Sequence, residues 1–220
     1  KNQKILIKNN MHILLTRPLV DCSEMILKFK SLGHQVSHLP LLSVNKIHYD
    51  QINFSNYEGI IFTSANAVKF LDLKKIDKKI YCFCVGNATE KKARGAGFQN
   101  VITAEGNVDN LKELVLQNFD PNNGSLIYVS GEVISNDIDQ QLRKEGYKIK
   151  RVVNYCTIHN QKFDEKFVME LKLNMPDIVY IYSQNSAQSF LNFIKINQSE
   201  SHWMNTNLMC IGEKTSSILN

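Results

Sequence analysis

The sequence predicts an α/β protein built on parallel sheets, and three observations predict it. Short apolar runs alternate with segments of helical spacing from one end to the other, the pattern of parallel strands linked by crossover helices. Most apolar runs stop at Gly, Ser, Thr or Asn and pass at once into a helix. The order of these units also repeats within the chain.

The elements follow in order. His12–Thr16 is a short strand, and Pro18 suits the first turn of a helix. Cys22, Met25, Ile26, Phe29 and Leu32 then form one apolar stripe, closed by Gly33. Residues 36–44 are extended, with Pro40 marking an exit from the sheet. Tyr57–Thr63 is a strand whose end, Thr63-Ser64, opens a helix with Ser64 as its N-cap. Lys79–Val85 is a strand followed by Gly86-Asn87-Ala88-Thr89 and a basic helix. Val101–Ala104 is a strand and Val108–Phe119 a helix. Ser125–Val129 is a strand ending at Ser130-Gly131, with Ile134, Ile138 and Leu142 spacing the next helix. Tyr147–Val153 is a strand that the chain is expected to leave at 154–156. Phe163–Leu173 is a helix, and Asp177–Tyr182 a strand running into the helix of Ser183–Ser186. Leu208–Ile211 is the last strand, followed by Gly212-Glu213-Lys214-Thr215.

The repeat sets Thr16-Arg17 against Ser130-Gly131, Ser64 against Ser183, and Gly86-x-x-Thr89 against Gly212-x-x-Thr215. Cutting at linkers near 41–46 and 154–156 gives a central lobe, 47–153, and a discontinuous outer lobe, 11–40 plus 157–220. The first copy of the repeat runs on past Thr89 by a helix, a strand and another helix. Pattern completion therefore predicts about 25–35 further residues in the natural chain.

Composition narrows the function. With 220 residues the chain is long enough for two small domains, and 43% hydrophobic with 21% charged residues is ordinary for a globular protein. Its apolar runs fall short of the ~20 residues of a spanning helix. The stretch KNQKILIKNN has too short an apolar part for a signal peptide and reads as a leader or an added remnant. The net charge of +5 is spread along the chain, which suits a small acidic ligand better than a nucleic-acid groove. Cys22, Cys82, Cys84, Cys156 and Cys210 show no C-x-x-C and read as buried, reduced thiols of a cytoplasmic protein. The histidines lack metal-ligand spacing, so no metal site is expected.

In open parallel sheets, ligands bind beyond the carboxyl ends of the strands. Here those ends carry Arg17, Thr63, Ser64, Gly86, Thr89, Ser130, Ser183, Gly212 and Thr215. Small residues let backbone N–H groups approach a ligand, and hydroxyls add donors, so these ends facing one gap would hold a polyanion. The plain alternative for each is a helix cap. Arg17 is a candidate carboxylate clamp, against a solvated surface arginine. Tyr155, where the chain recrosses between lobes, is the candidate proton donor, against a tyrosine packed at a lobe interface. There is no Walker loop, G-x-G-x-x-G or G-x-S-x-G.

The stretches LLTRP at 14–18, FTSANAV at 62–68, VGNAT at 85–89, the G-Y-x-I-x-x-V-x-x-Y ending at Tyr155, SQNSA at 183–187 and IGEKT at 211–215 resemble the uroporphyrinogen-III synthase family. The resemblance implies two similar flavodoxin-like lobes with parallel sheets, joined by a two-stranded connector. It also implies a cyclising lyase of haem biosynthesis that closes hydroxymethylbilane into uroporphyrinogen III, inverting ring D and releasing water. No cofactor, nucleic acid or membrane is implied, and a monomer is expected. The family's conserved tyrosine matches Tyr155; its hydroxyls match Thr63, Ser64, Ser183 and Thr215. Ser130 stands where many members carry an arginine, and Asn136 where the next helix is often basic, so little charge is expected from the central lobe. The competing reading is a non-catalytic two-lobed receptor for an acidic small molecule.

Overall fold

The computed structural model describes residues 10–105 and 108–219. Residues 1–9, most of the stretch expected to be a leader or an added remnant, lie outside the described residues. The fold is mixed α/β with parallel sheets, and the chain separates into two compact units, residues 1–43 with 158–220 and residues 44–157.

The first unit holds a four-stranded sheet made of β1 (His12–Leu15), β2 (Gln35–His38), β9 (Ile178–Ile181) and β10 (Asn207–Cys210), in the order β10-β9-β1-β2. All three pairings are parallel. Every residue of β1 is buried, which is why it reads as an unbroken apolar run and takes the centre of the sheet. Ile13 and Leu15 face α1 (Leu19–Ser31) through Cys22, Met25, Ile26 and Phe29. Leu14, Val179 and Ile181 face the opposite layer, formed by α6 (Glu165–Leu173) and α7 (Gln184–Ile196). Trp203 closes that layer against Phe190, ring centroids 5.0 Å apart.

The second unit is built on β4 (Gly59–Phe62), β5 (Tyr81–Val85), β6 (Asn100–Ala104), β7 (Ser125–Gly131) and β8 (Lys148–His159), with β3 (Leu42–Lys46) beside β8. The order is β3-β8-β7-β4-β5-β6. Helices α2 (Ala65–Phe70) and α3 (Asn87–Gly95) cover the face of Ile60, Phe62, Cys82 and Cys84. Helices α4 (Val108–Asn118) and α5 (Ile138–Lys144) cover the face of Ile61, Phe83 and Tyr128. Ile60, Ile61 and Phe62 are wholly buried, each contributing about 1.5–3 kcal/mol of hydrophobic stabilisation. β4 opens on Gly59, where a Cβ would lie 2.6 Å from Leu126 Cδ2, so the close packing of β7 favours glycine there.

The four strands β10-β9-β1-β2 of the first unit and β5-β4-β7-β8 of the second run in the same spatial order. That is the correspondence the sequence repeat demands.

Three local expectations need correction. Residues 154–156 do not leave the sheet, because β8 continues through them to His159. There it pairs with β3, Ile47 N–H donating to Asn154 O and Asn160 N–H to Leu41 O, an antiparallel pattern. Both expected linkers are therefore strands. Ile134 falls outside α5, which starts at Ile138. The five thiols are free, but only Cys22, Cys82 and Cys84 are buried; Cys156 and Cys210 are half-buried.

Candidate active site

The parallel strands of each unit end along one edge of its sheet. In the second unit, β7 and β8 keep register from Ser125–Lys148 to Ser130–Val153, and then Gly131 pairs with Tyr155. The skipped residue, Asn154, makes a β-bulge, and a bulge re-aims the residues after it. Asn154 is wholly buried and its Nδ2 donates to the Ala67 carbonyl of α2 at 2.8 Å. The bulge turns half-buried Tyr155 onto the face carrying α2 and α3. Its ring lies on Gly131: a Cβ there would be 2.7 Å from Tyr155 Cζ and 3.0 Å from its hydroxyl oxygen. Gly131 is thus a seat for Tyr155, and no larger residue leaves the ring in place.

The same strand end receives Arg151 from β8. Its Nε donates to Ser130 Oγ at 2.9 Å, and its Nη2 to the carbonyls of Gly131 at 2.8 Å and Glu132 at 3.0 Å. Ser130 itself is buried and donates to Gly131 O at 3.0 Å. The expectation of little charge here is overturned, because the neighbouring strand brings a guanidinium to Ser130. Asn136 lies before α5 rather than within it, bonded to Asp109 and Gln141. Thr63, at the end of β4, lies 3.0 Å from the hydroxyl of Tyr128. Burial pushes that phenol's pKa up, so it stays neutral beneath the rim.

In the first unit, Thr16 donates to Tyr180 O at 2.7 Å. Arg17 follows it, exposed, its guanidinium 4.7 Å above the Tyr182 ring. The Arg17 carbonyl lies 2.7 Å from His38 Nε2 on β2. Burial raises the Tyr182 phenol to about 12.

The remaining candidates sit at helix starts. Ser64 caps α2, accepting from Asn66 N–H at 3.2 Å. Ser183 caps α7 in a capping box with Ser186. Gly86 (φ 75°, ψ 153°) and Gly212 (φ 83°, ψ 156°) precede α3 and α8 (Glu213–Ser216) in almost one conformation. Thr89 and Thr215 are buried in the first turns, each N–H donating to the carbonyl of its glycine. Repeat partners thus share geometry as well as sequence.

Sequence reasoning missed Arg151, Gly131 as a seat, and Tyr128. Concavities of about 340 Å³, between α2 and α3 beside Lys69, Lys91 and Lys92, and about 400 Å³, beside Tyr49, lie apart from the candidate residues. Among the described residues no three His, Cys, Asp or Glu side chains gather as a metal site.

The family described as uroporphyrinogen-III synthase HemD (HEM4) matches residues 23–220. Two solved structures share the fold. Uroporphyrinogen-III synthetase from Helicobacter pylori is 17% identical, with a TM-score of 0.61 over 95% of this chain and 87% of that one. A mutant uroporphyrinogen III synthase from the extremely thermophilic bacterium Thermus thermophilus is 12% identical, with a TM-score of 0.56 over 95% of this chain and 88% of that one. No curated protein sequence matches significantly. The family match spans both units and every candidate residue but Arg17, and on that footing the chain belongs to the uroporphyrinogen-III synthase family.

Proposed function

We propose that the chain performs its family's reaction with two flavodoxin-like lobes whose strand ends carry the groups that bind the substrate's carboxylates. Uroporphyrinogen-III synthases are cyclising lyases of tetrapyrrole biosynthesis. They convert hydroxymethylbilane into uroporphyrinogen III and one water, with ring D inverted. The terminal hydroxyl leaves as water after protonation, giving an azafulvene cation. Ring closure through a spiro intermediate and its rearrangement complete the reaction.

The substrate carries many carboxylates and no preset fold. The protein's first task is therefore orientation, holding the chain ends in a reactive geometry. In this reading the backbone N–H groups after Gly86 and Gly212, the hydroxyls of Thr63, Ser64, Thr89, Ser183 and Thr215, and the guanidinium of Arg17 bind carboxylates. Ser130, expected among them, is buried with its proton given to Gly131 O, and it holds Arg151 instead. Tyr155 donates a proton to the leaving hydroxyl. Gly131 supports that role by allowing the phenol to lie at the end of β7. A cytoplasmic monomer is part of this reading. Among the described residues no helix is long and apolar enough to cross a membrane.

The observation that carries the reading is the family match across residues 23–220. The test is turnover. The full protein mixed with freshly made hydroxymethylbilane should yield the type III isomer faster than spontaneous closure yields type I. Type I alone, at the spontaneous rate, would end the enzyme reading and leave a receptor.

A further inference from the structure

We propose that Arg151 is the carboxylate-binding residue at the end of β7, the counterpart of Arg17 at the end of β1, moved onto the neighbouring strand. The proposal deepens the function reading above and rests on it.

The chain has four arginines, Arg17, Arg94, Arg143 and Arg151. Two are neutralised on their own helices: Arg94 bonds Glu90 at 2.8 Å, and Arg143 bonds the buried Asp139 at 2.9 Å. Arg17 and Arg151 form no ion pair among the described residues. An unpaired guanidinium on an open surface is ordinary. Arg151, however, is half-buried, and withdrawing an unpaired charge from water is unfavourable.

Both unpaired arginines come to one place in the repeat. Thr16-Arg17 corresponds to Ser130-Gly131, so the second unit has glycine where the first has arginine. Gly131 cannot carry a side chain, because the Tyr155 ring occupies that volume. The guanidinium arrives instead from β8 and rests on Ser130, Gly131 and Glu132. Those three acceptors use Nε and Nη2. Of the five N–H donors of a guanidinium, the pair on Nη1 has no partner among the described residues. The hydrogen bonds fix the plane of the group and leave its remaining edge for an anion. Three neutral oxygens orient the charge without cancelling it, as a fixed carboxylate would have done.

The test compares Arg151→Gln, Arg151→Lys and, as control, Arg94→Gln, whose exposed guanidinium lies on α3. Two readouts are needed: KM and kcat for hydroxymethylbilane, and binding of uroporphyrin III, followed by its fluorescence. Arg151→Gln should raise KM and the dissociation constant about 10- to 100-fold, the loss of one charge-assisted contact, with kcat changed little. Arg151→Lys keeps the charge and loses the fork, and should recover most of the affinity. Arg94→Gln should match wild type. Added salt should weaken wild-type binding more than that of Arg151→Gln.

A purely structural Arg151 gives the opposite order, with lysine as defective as glutamine or worse. That result, or Arg151→Gln binding like Arg94→Gln, overturns the proposal while leaving the enzyme reading intact. If Arg151→Gln melts early, the lysine variant decides alone, by near-native or lost affinity. A wild-type protein that neither turns over hydroxymethylbilane nor binds the porphyrin would overturn the function reading, and this assignment with it.

Discussion

At the end of β1 the residue after the buried hydroxyl is Arg17; at the end of β7 it is Gly131. The strands around them run in the same order, and Gly86 and Gly212 repeat one backbone conformation. The chemistry differs. The first unit stacks its arginine on Tyr182 and sets His38 against the Arg17 carbonyl. The second leaves the position bare, seats Tyr155 on it, and brings Arg151 from the next strand. A repeated fold thus keeps the features that depend on backbone geometry, such as helix starts after a positive-φ glycine. It is free to vary the side chains that reach the strand end, because neighbouring strands supply alternative routes to one point.

The largest expected asymmetry concerns the two rim tyrosines. Tyr155→Phe should lower kcat for type III formation about 10²-fold or more, the usual size of a lost general acid. Tyr182→Phe in the first unit should leave kcat within about threefold on the same scale. Stopped assays with isomer separation would read both. Equal losses would erase the distinction between the units.

Next comes the seat. Gly131→Ala puts a methyl where the Tyr155 ring lies, so it should imitate Tyr155→Phe in kcat and add a packing penalty of about 1–3 kcal/mol. Combined with Tyr155→Phe it should add little further loss of kcat, since both changes remove one contribution. Additive losses would separate Gly131 from Tyr155.

Gly86→Ala and Gly212→Ala sharpen the common part. Both glycines have φ above +70° with ψ near 150°, a region that side chains avoid. Each substitution should cost about 1–3 kcal/mol in urea unfolding, and nearly the same in both. A large difference would show that the matched conformations are not equally required.

The smallest effect is alkaline. The Tyr182 phenol is raised to about 12 by burial, against its ordinary 10. Below pH 10 both folded and unfolded states keep the proton, and the contribution is fully present. Between pH 10 and about 12 the unfolded chain ionises first, so stability falls as pH rises. Tyr182→Phe should flatten that part of the profile, as seen in melting temperature against pH.

Much of this was legible in the sequence. Buried parallel strands read as apolar runs, because both faces of β1 and β4 are covered. Ser64 and Ser183 announced helix starts because a cap needs an oxygen there. The Arg17/Gly131 pairing was visible as a repeat. What stayed hidden depends on contacts across strands. The bulge at Asn154 has no local marker, since Asn154 finds its partner, Ala67 O, in a helix far away in sequence. Without the bulge, strict alternation aims Tyr155 at the opposite face. Arg151 reads as an ordinary strand residue, and only the register of β8 on β7 brings it to Ser130. Glycine at 131 reads as a turn former, and its function as a seat needs the ring above it.

The proposed function depends on strand-end arginines binding the substrate's carboxylates, and the double variant Arg17→Gln/Arg151→Gln measures that most directly. Each single change should raise KM for hydroxymethylbilane, and the double should raise it by about the product of the two factors, as independent contacts to one ligand do. A KM for Arg17→Gln equal to wild type, with the double no worse than Arg151→Gln alone, would contradict it.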